Sequence, residues 1–364
     1  MNDPIGLYIH VPFCRRKCVY CDFYSLAGKE DLTQKYVQAV VRNIRISGMT
    51  FDTVYFGGGT PSLLSSSQIS DILSAADIAE GAEISAEINP DSADTQKLRD
   101  FRAAGINRIS IGIQSLDDKE LSVLGRLHNS EQAENAILSA QKAGFENISA
   151  DLMLGLPYQH TETVLNNIER LSELGARHIS AYMLKIESGT PLSENDELIS
   201  NIADEELSAD MYLEAVSCLE KNGFKQYEIS NFAKEGYVCR HNLKYWRCED
   251  YLGIGPSAHS CTGGKRFAVP KDIYGFINCE KQEEVITDDA PCGSSERLML
   301  ALRLSEGFLM SQAGDYENRL RAAAVPMEKH GLLKISDGRI MLTPMGFLVS
   351  NEIICRLSEV LEEG

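Results

Sequence analysis

The chain has 364 residues, 43% hydrophobic and 24% charged, with 53 acidic against 35 basic residues and a formal net charge of −18. Phosphate backbones and anionic lipid repel so acidic a chain, which excludes nucleic acid and membrane surfaces as default partners. No apolar run reaches the ~20 residues of a bilayer span.

The opening residues, MNDPIGLYIHVPF, are acidic and then strand-like. A basic leader followed by an apolar core would look different, so no signal peptide is expected and the chain reads as cytoplasmic. Disulfides are disfavoured there, and clustered cysteines become candidate ligands or nucleophiles.

Six short β-branched runs follow in order, at 6–11, 52–58, 83–88, 107–113, 147–155 and 177–184. Their spacing suits a strand, a crossover helix and two loops each. Between the first two, Leu32, Tyr36, Val37, Val40, Val41 and Ile44 share one helical face. A second amphipathic stretch, 204–224, ends at Gly223, a good helix stop. Six βα units predict a parallel sheet covered by helices, which either a doubly wound sheet or a barrel would satisfy. Beyond about residue 225 the rhythm is lost, and 226–290 is rich in Gly, aromatics, His and Cys. Helices return after 291, and ISDGRIMLTP predicts a hairpin with an Asp-Gly turn, giving a winged-helix-like ending. The net charge argues that this wing packs and does not read DNA. The expected organisation is therefore 1–225, 226–290 and 291–364.

The segment HVPFCRRKCVYCDFYS, residues 10–25, places Cys14, Cys18 and Cys21 in a C-x3-C-x2-C loop, with Arg15, Arg16 and Lys17 favouring thiolates. Three thiolates can hold an iron–sulfur cluster with one iron left open. They can also hold zinc, given a fourth ligand such as His10. Packed core cysteines are a third reading. The second strand run ends in GGGTPS, 57–62, where glycines let a ligand approach the backbone. Parallel α/β folds bind ligands at this edge of the sheet.

The C-x3-C-x2-C loop followed by GGGTP resembles the radical S-adenosylmethionine (radical SAM) superfamily. With EINPD, GIQS, GRLHNS, DLMLGLP, EISNFAK, HNLKYW and GIGPSAHS, the chain is similar to the oxygen-independent coproporphyrinogen III oxidase family, and most of all to its HemW branch. The resemblance runs from about residue 5 to the C-terminus. It implies a partial (β/α)6 TIM-type barrel with a smaller, mostly helical C-terminal domain. It also implies that Cys14, Cys18 and Cys21 hold a [4Fe-4S] cluster whose open iron takes S-adenosylmethionine. Tyr8 would lie against cluster and cosubstrate, and Gly58, Gly59 and Thr60 would contact the methionyl part.

Four polar residues fall near the ends of successive strand runs. Glu87 suits a cationic amine, Gln114 both donates and accepts, Arg126 suits a carboxylate, and Asp151 suits ribose hydroxyls. Each could instead be a satisfied structural group, but Glu87 and Asp151 would be costly unpaired among apolar neighbours.

One departure bears on function. The oxidases carry a further cysteine two residues after the third, where this chain has Phe23. The first cysteine also lies only 14 residues in, so the oxidases' longer N-terminal segment is expected to be absent. Both features match the HemW branch, whose members are regarded as haem chaperones that deliver haem to an acceptor protein, and they imply a carrier more than an enzyme. The alternative is radical decarboxylation of coproporphyrinogen III. The HNxxYW motif nominates His241 as haem ligand, with His259 of GPSAHS second. The spacing of Cys239 and Cys248 does not indicate covalent attachment. Cys218 reads as core, and the other cysteines lack ligand spacing.

Overall fold

The structure is a computed structural model and describes residues 3–362. All six predicted runs are strands: β1 (Ile5–Val11), β2 (Thr50–Gly58), β3 (Asp77–Ile88), β4 (Arg108–Gln114), β5 (Asn147–Leu154) and β6 (His178–Met183). Each pairs in parallel with the next. A helix follows each strand: α1 (Thr33–Ser47), α2 (Ser66–Ala75), α3 (Thr95–Ala104), α4 (Ser130–Lys142), α5 (Thr161–Glu173) and α6 (Glu205–Lys221).

Local chemistry sets these boundaries. Ser65 with Gln68, and Asn129 with Gln132, form capping boxes, while Asp94 and Asp204 cap α3 and α6. Gly48, left-handed at φ 59°, ends α1. β3 begins well before the predicted run because its first residues, Asp77–Gly81, are largely exposed and lack alternation.

Strand alternation divides the two faces of the sheet. Ile109, Ile111, Ile113, Leu152, Leu154 and Ile179 are fully buried, in one core with Tyr36, Val40, Ile137 and Ile168 of the helices. The residues between them, Arg108, Ser110, Gln114, Asp151 and Ser180, line an internal cavity. A barrel packed for stability alone fills this face with branched apolar side chains; here it is polar.

The sheet does not close. Its twelve strands run in an order that continues past both β1 and β6. β7 (Asn231–Ala233) adds antiparallel to β6, and β8 (Tyr251–Ile254) adds in parallel to β1. β9 (His259–Thr262) and β10 (Lys265–Ala268) extend that side. Residues 226–290, expected to connect two parts of the chain, thus supply both margins of the sheet. The final part holds a small three-stranded sheet between helices. Its hairpin turns at Asp337 and Gly338, both with positive φ (52° and 73°), as the Asp-Gly signal predicts.

Candidate metal centre and cosubstrate cavity

Cys14, Cys18 and Cys21 stand half-buried and unpaired at the mouth of a cavity of about 550 Å³. The loop is held from below: Val19 N donates to Leu124 O (3.4 Å), and Arg16 donates to the carbonyls of Gly125 and Arg126. Its first cysteine is zipped to the glycine loop after β2. Gly59 N donates to Val11 O (2.8 Å) and Thr60 N to Phe13 O (2.7 Å). A Cβ on Gly59 would lie 2.6 Å from Phe13 O, so only glycine permits this approach.

A chain of hydrogen bonds links two of the sulfurs. Thr60 Oγ1 donates to Cys14 Sγ (3.4 Å) and accepts from Asn89 Nδ2 (3.2 Å). Asn89 Oδ1 accepts from Arg126 Nη2 (2.9 Å), whose Nη1 donates to Cys18 Sγ (3.4 Å). Donors aimed at sulfur are what a cluster-bound thiolate needs. Burial raises the Cys21 thiol above its ordinary pKa, which a metal would offset by taking the thiolate.

The zinc reading loses its fourth ligand. His10 Nε2 donates to Tyr24 O (2.8 Å), so its Nδ1 must accept, and it does so from Tyr8 OH (3.1 Å). Three thiols facing one cavity, with donors aimed at the sulfurs of Cys14 and Cys18, suit a cluster.

Deeper in the cavity, Gly58 N (3.2 Å) and Tyr55 OH (3.1 Å) donate to Glu87. Burial, and then the Asp151 charge, push the Glu87 carboxyl up to about 7. Asp151 is also raised by burial, although Ser110 Oγ donates to it (3.0 Å). Gln114 sits left-handed at φ 67° and accepts from Tyr182 OH (2.7 Å). For a residue with a Cβ that backbone is strained, and strain of this kind gathers at functional sites. Gly58, Gly59, Thr60, Glu87, Gln114, Arg126 and Asp151 therefore share one cavity with the three cysteines.

Two further candidates lie apart from this cavity. Tyr8 lies outside this cavity, because its hydroxyl turns to His10 and it faces a second cavity beside the loop. His241 presents no free nitrogen: Nδ1 is bonded to Thr53 Oγ1 (2.8 Å) and Nε2 to Tyr245 OH (2.7 Å). It is buried, and that burial lowers its pKa to about 3.

Sequence reasoning overlooked Asn89, which joins the two arms of the sulfur network, and Arg108. Arg108 is 1% exposed and lines the cavity, and its Nε and Nη1 have no hydrogen-bond partner. A cation inside the run RISIGI was the available signal. The buried Arg126 Nε is likewise unpartnered. Orphaned donors of this kind call for an anionic or carbonyl group from a ligand.

A radical SAM superfamily model matches residues 8–171, and a HemN C-terminal domain model matches 294–349. The heme chaperone HemW of Synechocystis sp. is 34% identical over 99% of this chain and 98% of its own length. That of Haemophilus influenzae is 35% identical over 96% and 97%. Among solved structures, coproporphyrinogen III oxidase (HemN) from Escherichia coli superposes with a TM-score of 0.81 at 20% identity, covering 98% of this chain and 90% of its own. At that identity the likeness is one of fold.

Proposed function

The chain belongs to the HemW family of the radical SAM superfamily, and on that premise we propose that it binds haem and passes it to an acceptor protein. In this reading Cys14, Cys18 and Cys21 hold a [4Fe-4S] cluster. Gly58, Gly59, Thr60, Glu87, Gln114, Arg126 and Asp151 take S-adenosylmethionine. The observation that carries the proposal is the hydrogen-bonded arc from Cys14 through Thr60, Asn89 and Arg126 to Cys18, set over a polar cavity.

The protein's own contribution is placement. Glu87, once ionised, offers a counter-charge to an ammonium. Arg126 fixes the loop and keeps Nε free, and Thr60 orients the first sulfur. When bound, the cluster and its cosubstrate supply one-electron chemistry that no side chain provides. Phe23, 60% exposed at the loop's rim, puts an apolar ring where the oxidases have a thiol, which favours carriage over decarboxylation. No helix among the described residues is long and apolar enough to cross a membrane, and a cytoplasmic location is part of the proposal.

Anaerobic reconstitution followed by iron and acid-labile sulfide analysis tests the cluster. A full complement is expected, and its loss in Cys18→Ala. Haem titration of the reconstituted protein should then show saturable binding with a shifted Soret band. Zinc in place of iron, absence of haem binding, or conversion of coproporphyrinogen III to protoporphyrinogen by the reduced protein would each overturn the reading.

A further inference from the structure

Three cysteines far apart in the chain meet where the margin of the sheet joins the C-terminal helices. Cys248 lies just beyond α7 (Arg240–Trp246), Cys261 is in β9, and Cys292 comes just before α8 (Ser294–Ala301). We infer that Cys292 is an oxidant-sensitive thiol that closes a disulfide with Cys248, tying α8 to α7.

Hydrogen bonds and strand register bring the three together. Cys261 sits opposite Tyr251 of β8 on one side and Arg266 of β10 on the other. Arg266 Nη2 donates to Glu296 Oε1 (2.7 Å), and Glu296 Oε2 accepts from Cys292 N (2.6 Å). Cys248 N donates to Tyr245 O (3.4 Å), and the Tyr245 ring stands edge to face on Tyr251, with centroids 4.6 Å apart. The Cys292 thiol is thereby within hydrogen-bonding reach of both the Cys248 and Cys261 thiols, and all three are free. None of them lines the cluster cavity or the cavity beside it.

Cys292 has the contacts of the reacting sulfur. It is half-buried, and a resolving thiol touches it on each side, the arrangement of a redox-sensing cysteine. Burial, then the contact with Cys292, push the Cys248 thiol up to about 12, and burial and the Cys292 sulfur push Cys261 up to about 11. Thiols that keep their protons are donors, so each S–H can be given to Cys292 Sγ. Arg297 Nε donates to Cys292 O (2.8 Å) and fixes the turn from behind.

Of the two neighbours, Cys248 is the one free to move. Cys261 is 6% exposed and is held in β9 by pairing on both sides. Cys248 and Cys292 are both half-buried, and both have left-handed backbone, at φ 55° and 65°. Strain of this kind in residues with a Cβ gathers at switch regions. A turn can also take up the adjustment that carries two sulfurs from contact to a bond.

With hydrogen peroxide as oxidant, the Cys292 sulfur takes one hydroxyl and water leaves, giving a sulfenic acid. The Cys248 sulfur then displaces that hydroxyl, which departs as water with the Cys248 proton. The two thiols lose two electrons and the peroxide gains them. Thiol reductants reverse the bond, so in a reducing compartment it is transient.

The full-length reconstituted chain, treated with stoichiometric hydrogen peroxide and then alkylated, tests the assignment by mass spectrometry of linked peptides. Digestion at basic residues and at Glu249 parts all three cysteines. A Cys248–Cys292 peptide should appear, two hydrogens lighter than its reduced halves together, and vanish with dithiothreitol. It should persist in Cys261→Ser and be lost in Cys292→Ser, both shown to be folded by circular dichroism. Amide exchange in 294–301 should slow on oxidation of the wild type but not of Cys292→Ser; equal exchange in the two would overturn the tie between α7 and α8. Free Cys248 and Cys292 thiols under conditions that oxidise exposed Cys355 would overturn the inference as a whole. So would a bond from Cys292 to Cys261 alone, or bound zinc that is lost in Cys292→Ser.

Discussion

Glu87 is the side chain whose ionisation matters most to the cavity, because it is buried, bonded to Gly58 N and Tyr55 OH, and raised from 4.5 to about 7. A carboxyl that holds its proton more tightly when folded makes the ligand-free protein most stable below the ordinary carboxyl range. That stability is lost as pH rises from about 4.5 through 7. Glu87→Gln removes the titration, so denaturant melts of the ligand-free variant should match wild type at pH 5 and exceed it by roughly 2–3 kcal/mol at pH 8. Asp151, also raised by burial, leaves a slope of the same sign. An unchanged pH slope in Glu87→Gln would show that the carboxyl titrates normally. If Glu87 receives the cosubstrate's ammonium, the affinity for S-adenosylmethionine measured calorimetrically should rise from pH 5 to pH 8 in wild type and stay flat in the variant.

At the scale of elements, the glycine loop after β2 does more than clear space, since its amides fasten the cysteine loop to the sheet. Gly59→Ala would drive a Cβ against the carbonyls of Phe13 and Val11, at 2.6 and 2.8 Å, and neither backbone atom can yield cheaply. A cost of roughly 1–3 kcal/mol is expected, with cluster incorporation falling sharply as Thr60 is displaced from Cys14. Gly293→Ala is the matched control, at φ −63° with no atom near the added carbon, and should behave as wild type. Normal iron content in Gly59→Ala would mean the two loops are not mechanically linked. The six strands were legible because they are short β-branched runs set apart by helix-length stretches, and the Asp-Gly hairpin because its turn demands positive φ. The margins of the sheet were not. Asn231–Ala233 and Tyr251–Ile254 are too short to carry a period, and what makes them strands is pairing with β6 and β1 from far along the chain. The sulfur loop and Gly58–Thr60 declared themselves by composition. Asn89 became informative only when the end of β3 brought it to the cavity, whereas Arg108 was signalled by a cation inside an apolar run. The motif of His241 shows a histidine among aromatics, but not that Thr53 and Tyr245 hydrogen-bond both its nitrogens.

For the whole molecule, the added margins decide what can be removed. β1 is central because β8 covers its outer edge, with Gly6 to Ile9 paired to Tyr251 to Ile254. Ending the chain at residue 225 strips β8 from β1 and β7 from β6, exposing two strand edges beside buried Leu7, Ile9 and Ile179. Unpaired apolar edges pair with other chains, so that fragment should appear as aggregate in size-exclusion chromatography. Ending at residue 290 keeps both margins and every residue of both cavities, the last being Lys271. What this longer fragment loses is the support of the C-terminal helices, including the Ser305 N to Tyr227 O bond (3.0 Å) and the Arg247–Glu306 pair (3.1 Å). The ion pair is exposed and contributes at most about 1 kcal/mol, but Leu298, Leu302 and Leu304 leave the core with it. The 1–290 fragment should therefore remain monodisperse, melt at lower temperature than the full chain, and still incorporate iron and sulfide. A soluble 1–225 fragment that took up a cluster would instead make β1 to β6 self-sufficient and the added strands dispensable.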